Sequence, residues 1–115
     1  MRYFKNAEFN CPCCGEHHMD FDTVDMLITA RSYADTPFAI TSAWRCDKHN
    51  KKVGGKEDSA HIYGKALDIF AANSTSRFKI VYGLVNAGFT RIGIGSNFIH
   101  ADTDHNKDAE VLWVY

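Results

Sequence analysis

Residues 59–70 read SAHIYGKALDIF. From Lys65 the segment alternates. In 65–71, KALDIFA, Ala66, Asp68 and Phe70 face one way and Leu67, Ile69 and Ala71 the other, which is the period of a β-strand. A carboxylate in the middle of that apolar run is costly unless it is paired or binds a cation. His61 precedes Asp68 at the end of a polar loop, and the turn at Tyr63-Gly64 lets the chain fold back so that the two side chains converge.

Upstream, residues 8–20 are an irregular segment rich in Cys, Gly and His. Asp20 and Asp22 are candidate caps for a helix over 23–34, TVDMLITARSYA, with Val24, Leu27 and Ile28 at helical spacing. Asp35-Thr36-Pro37 ends that helix, because the residue before a proline is pushed out of the α region. Residues 38–44, FAITSAW, read as a strand and 45–60 as a polar loop containing Gly54-Gly55. Downstream, STSRFKIVYGLVNA over 74–87 is a second helix, with Ser74 or Ser76 as cap and Gly88 just past its end. Two short strands near 91–94 and 97–102 follow, and EVLWVY closes the chain as a last strand. This order lacks the regular alternation of a doubly wound sheet. It predicts an α+β fold with helices packed on one face of a mainly antiparallel sheet, in one domain spanning 1–115.

Composition narrows the function. An apolar fraction of 45% and a charged fraction of 23% are those of a globular protein. A formal charge of −1 argues against a general nucleic-acid binder and gives no attraction to an anionic membrane. No apolar run approaches the roughly 20 residues of a membrane span, so membrane insertion is not expected. The opening MRYFKNAEFNCPCCG does not look like a secretory signal, so synthesis in the cytoplasm is expected.

His100 lies on a different predicted strand, after Phe98-Ile99. Two imidazoles and a carboxylate are one of the ligand sets of catalytic zinc, with a fourth position left for water. A lone histidine in a loop is commonly solvated, and a lone aspartate in a strand often bonds a backbone group. On residue type alone both readings stand.

The local pattern adds to this. SAHIYGKALDIF resembles the S-x-H-x-x-G-x-A-x-D-[ILVF] signature of the zinc D-Ala-D-Ala carboxypeptidase family. That family includes murein peptidases and phage endolysins and shares its fold with the hedgehog signalling domain. TSAWRCDKHNKKVGG is similar to the family's S-G-[YW]-R and H-N-x-x-V-G-G segments, and AGFTRIGIGSNFIHADT to the stretch that ends in its second histidine ligand. The terminal LWVY looks like its final strand, and CPCCG like the lead-in of its short, phage-borne branch.

The resemblance implies one zinc ion on His61, Asp68 and His100, with Arg45 facing the substrate carbonyl, where a guanidinium can hold a developing oxyanion. Ser59 matches a position near the substrate; otherwise it is a hydroxyl that orders the turn before His61. The implied activity is hydrolysis of the peptidoglycan stem peptide, at a D-Ala-D-Ala end or an L-Ala-D-Glu bond. The expected setting is a monomeric phage or prophage lysis enzyme acting at the bacterial cell wall or periplasm after release. The alternative is a non-catalytic, zinc-stabilised wall-binding or virion module on the same fold.

One position departs from the pattern. Many relatives carry an acid three positions before the last histidine, where this chain has Asn97, which cannot take a proton. Asp102 is the expected substitute as general base, since residues two apart on a strand share a face. It could equally hold the His100 imidazole in place. Asp104 and His105 are expected in a solvated loop, and His17, His18 and His49 as structural or surface groups.

Cys11, Cys13, Cys14 and Cys46 allow three readings: free or buried thiols, one disulfide from the cluster to Cys46, or a metal site. Cys11 and Cys14 form one C-x-x-C pair, but the clean second pair of a zinc ribbon is missing.

Overall fold

A computed structural model describes residues 3–115. Asp20 caps the first helix, α1 (Phe21–Ala34): its carboxylate accepts from the Thr23 N–H at 3.1 Å and the Thr23 hydroxyl at 2.8 Å. This satisfies a backbone donor that the first turn leaves unpaired. At the other end Asp35 takes the left-handed conformation (φ 51°) just before the proline turn. The second long helix, α3 (Ser74–Asn86), is capped by Asn73 rather than by a serine; the Asn73 side chain accepts from the Ser76 N–H at 2.9 Å.

Two segments differ from the sequence expectation. The strand expected over 38–44 narrows to β1 (Ile40–Ser42), whose pairing is irregular between its ends. The polar loop expected over 45–60 contains a short helix, α2 (Asp47–Lys52). Its sequence, DKHNKK, has no apolar period to signal a helix.

The remaining strands are β2 (Ala66–Phe70), β3 (Arg91–Ile94), β4 (Phe98–Asp102) and β5 (Val111–Val114). They form one sheet in the order β1-β2-β4-β3-β5, antiparallel except for the parallel β3–β5 pair. The α+β architecture with a mainly antiparallel sheet is the one the sequence implied.

One face of the sheet makes the core. Leu67 and Ile69 of β2, Ile92 of β3, and Ile99 and Ala101 of β4 cluster with Leu27 and Ala30 of α1 and Ile80 and Leu84 of α3. Each fully buried Leu or Ile contributes about 1.5–3 kcal/mol relative to exposure. The two helices approach closely at Gly83, where an added Cβ would stand 2.4 Å from the Ala30 carbonyl oxygen and 2.8 Å from the Ala34 Cβ.

The period of two then delivers the polar residues to the opposite face. Register lines them up across all five strands: Ser42 pairs with Asp68, Asp68 with His100, His100 with Gly93, and Gly93 with Trp113. The neighbouring row runs Ala66, Asp102, Arg91, Val111.

Candidate metal centre

Asp68 and His100 are thus direct cross-strand neighbours, while His61 reaches them from the loop before β2. Gly64 makes that approach possible. It turns with φ 70°, and a Cβ there would stand 2.0 Å from the His18 carbonyl oxygen, so only glycine lets the loop lie against residues 18–20. The loop is tied to the segment after β1: the Arg45 N–H donates to the His61 carbonyl at 3.2 Å, and the Trp44 indole to the Ile62 carbonyl at 2.8 Å.

Each imidazole has one nitrogen engaged away from the cleft. His61 Nδ1 is 2.6 Å from the Ala43 carbonyl oxygen, so it carries the proton and leaves Nε2 as the lone-pair nitrogen. His100 Nε2 is 2.7 Å from Asp102 Oδ2, which leaves Nδ1. The two remaining nitrogens converge on one carboxylate oxygen: His61 Nε2 lies 3.4 Å and His100 Nδ1 2.9 Å from Asp68 Oδ1. The ligating atoms of all three residues lie within 4.8 Å of one another.

This donor set fits zinc. It offers two imidazoles and one carboxylate, each imidazole held in its ligating tautomer by an acceptor behind it. Both histidines are buried, yet both line an open cleft of about 620 Å³.

The charges are mutually adjusted. Burial opposes ionisation of Asp68, but hydrogen bonds from His100 and His61 and their fields outweigh it, holding the carboxyl well below the usual carboxylate range. Burial likewise disfavours the charged form of His100, but Asp102 and Asp68 together raise its pKa. Asp102 is lowered: desolvation acts against its charge, and His100, the Asp104 N–H and Arg91 more than offset it.

Asp102 lies beside His100, as strand geometry requires, but its acceptors are all engaged there. Oδ2 takes the His100 Nε2 proton, and Oδ1 accepts from Arg91 Nε at 2.7 Å and from the Asp104 N–H at 3.1 Å. It does not line the cleft. It sits behind His100, on the side away from the converging nitrogens, and this geometry runs against a general-base role. Asn97 is exposed and likewise outside the cleft lining.

Arg45 lines the cleft, with Nη2 3.7 Å from Asp68 Oδ2, and is steadied by Ser42 Oγ at 3.2 Å and Asn50 Oδ1 at 3.3 Å. Ser59 also lines the cleft, and its hydroxyl accepts from the His61 N–H at 3.3 Å, the turn-ordering contact. Asp104 is buried rather than solvated, paired with Lys107 at 3.2 Å, whereas His105 is exposed. His17 contacts Asn6, and His18 lies edge-on to Trp44.

The cleft wall also holds residues that the sequence did not single out: Arg91, Lys107, Trp113 and Tyr115. Trp113 stands against the His100 ring at 5.5 Å, and the Arg91 guanidinium lies 5.2 Å from its indole. Gly93 makes this possible, since a Cβ there would stand 2.6 Å from the Trp113 Nε1. Strand alternation was the available signal, but the register joining β5 to β4 through β3 is a tertiary fact.

A family model described as Peptidase M15 matches residues 2–102. No curated protein sequence matches the chain.

Proposed function

This chain belongs to the M15 peptidase family, the zinc D-Ala-D-Ala carboxypeptidase family, and from that premise we propose that it hydrolyses peptide bonds in the stem peptide of peptidoglycan. The bond is a D-Ala-D-Ala end or an L-Ala-D-Glu link, and the setting a phage or prophage lysis enzyme working as a monomer at the bacterial cell wall. The observation that supports this best is the convergence of His61 Nε2 and His100 Nδ1 on Asp68 at the base of a cleft that also holds Arg45.

His61, Asp68 and His100 would hold one zinc ion. Zinc held there supplies Lewis acidity toward a peptide carbonyl and toward water. Arg45 donates to the oxygen on which negative charge develops. Its hydrogen bonds to Ser42 and Asn50 fix the guanidinium beforehand, so little side-chain freedom is lost when the substrate arrives. Asp102 orients His100 instead of moving a proton. Lys56 adds a positive charge to the lining, within reach of a stem peptide's carboxylate, while Arg91 and Lys107 there are paired with Asp102 and Asp104.

The test is mass spectrometry of muropeptides after incubation with the zinc-loaded protein, beside His61→Ala. Cleaved peptides with the former and intact ones with the latter are expected. Intact muropeptides across several wall chemotypes would overturn the hydrolytic reading. The competing reading, a wall-binding module, has one observation in its favour. Asn97 replaces the family's acid and Asp102 is fully engaged behind His100. Co-sedimentation with murein without any cleavage would favour it.

A further inference from the structure

Three of the four cysteines, from positions up to 35 apart, form a cluster at the start of α2. Cys11, Cys14 and Cys46 bring their sulfurs within 4.8 Å of one another. Cys13 lies in the same turn and is exposed. The Cys11 and Cys46 sulfurs are 3.7 Å apart. Four thiolates at about 2.3 Å around a zinc ion stand about 3.8 Å from each other at tetrahedral angles. A disulfide would bring the pair to about 2.0 Å.

The backbone around the cluster has the form of a metal knuckle. In Cys11-Pro12-Cys13-Cys14-Gly15 the chain turns tightly, with the Gly15 N–H donating to the Cys11 carbonyl at 2.8 Å and Gly15 at φ 74°. The Cys46 sulfur accepts from the His49 N–H at 3.4 Å. N–H groups aimed at sulfur stabilise thiolate, the form that binds metal. Lys48, Lys51 and Lys52 of α2 line the adjoining surface with Cys13 and offset the charge of such a cluster.

We propose that Cys11, Cys14 and Cys46 bind a second, structural zinc ion that clamps the N-terminal segment to the start of α2. The clamp acts where the fold needs it. α2 has six residues, too few to be stable alone, and its cap is Cys46 itself. Arg45, which faces the first metal centre, is the residue immediately before that cap. The segment Gly54–Ser59 that follows α2 lines the same cleft. A thiolate-held ion at this place, away from the cleft, would contribute folding energy rather than chemistry.

The test is metal content of the full chain purified anaerobically under reductant, with His61→Ala and Cys46→Ser beside it. The unsubstituted protein is expected to hold two zinc ions, each single variant one, and the double variant none. His61→Ala loaded with cobalt(II) should show intense thiolate-to-cobalt charge-transfer absorption, and chelator should lower its melting temperature. Should His61→Ala retain no zinc and titrate four free thiols while folded, the cysteine site is refuted whatever the fate of the peptidase reading. The same holds if non-reducing mass analysis of that preparation finds Cys11 joined to Cys46. A single zinc in the unsubstituted protein that His61→Ala keeps and Cys46→Ser loses would count against the His61 centre instead.

Discussion

Replacing Asp102 with asparagine separates an orienting role from a proton-transfer role. The side chain keeps its volume but exchanges one acceptor for a donor. In the structure one oxygen takes the His100 Nε2 proton at 2.7 Å and the other takes Arg91 Nε at 2.7 Å and the Asp104 N–H at 3.1 Å. Asparagine can satisfy only one of these sides. If its oxygen stays on Arg91 and Asp104, its NH2 faces His100 Nε2 and forces the proton onto Nδ1, the nitrogen that points at Asp68 and the metal position. If the amide flips, its NH2 faces the Arg91 guanidinium. Losing the partner behind a ligating histidine costs about 10–100-fold in metal affinity, or about 1.4–2.7 kcal/mol. Arg91 also loses its charge partner in a largely buried pair, so the metal-free protein loses a further 1–3 kcal/mol or about that. Competition with a chromophoric chelator measures the first effect and urea unfolding in excess chelator the second. A general base at Asp102 would give the opposite pattern: zinc affinity unchanged and kcat alone reduced. That result would refute the orienting role.

Gly83→Ala should destabilise the fold by at least the roughly 1–3 kcal/mol of an overpacked core, because the new Cβ meets backbone of α1; urea unfolding reads this, and an unchanged midpoint would contradict the helix contact. Arg45→Lys should lower kcat on muropeptides by roughly 100-fold, the usual loss for one oxyanion donor, with zinc content unaltered; a change confined to KM would assign Arg45 to ground-state binding. The metal-free protein should be most stable between roughly pH 4 and 6.5. Asp68 and Asp102 are lowered in the fold, so their contribution is present above the unfolded carboxylate pKa and lost as pH falls through the folded values. His100 is raised, so its contribution is present below the unfolded imidazole pKa and lost as pH rises through the folded one. Zinc should remove the upper limit, since ligation needs the neutral ring. A urea midpoint in chelator that stays flat from acid to alkaline pH would refute this coupling.

The strand period in KALDIFA put Asp68 on the face opposite Leu67 and Ile69, and that much needed no coordinates. The same local rules carried the first helix with its Asp20 cap, the Gly88 stop and the shared face of His100 and Asp102. Each depends on residues a few positions apart, where backbone sterics and side-chain period dominate. α2 escaped, because six polar residues carry no period and are held by contacts at Cys46 that lie far away in sequence.

Register and direction needed the tertiary fold. That Asp68 faces His100 across the β2–β4 pair, with Gly93 and Trp113 next in line, follows from how the whole sheet settles on its core. A shift of one residue would have turned every one of those side chains to the other face. Sequence left Asp102 with two roles because alternation fixes a face and not a bonding partner. Arg91 and the Asp104 N–H, brought in by β3 and the turn after β4, take up its second oxygen and favour the orienting role. The cysteines make the same point. Their types were plain in the chain, but only the packing of residues 11–15 against Cys46 brings the Cys11 and Cys46 sulfurs to 3.7 Å and Cys14 within 4.8 Å of both.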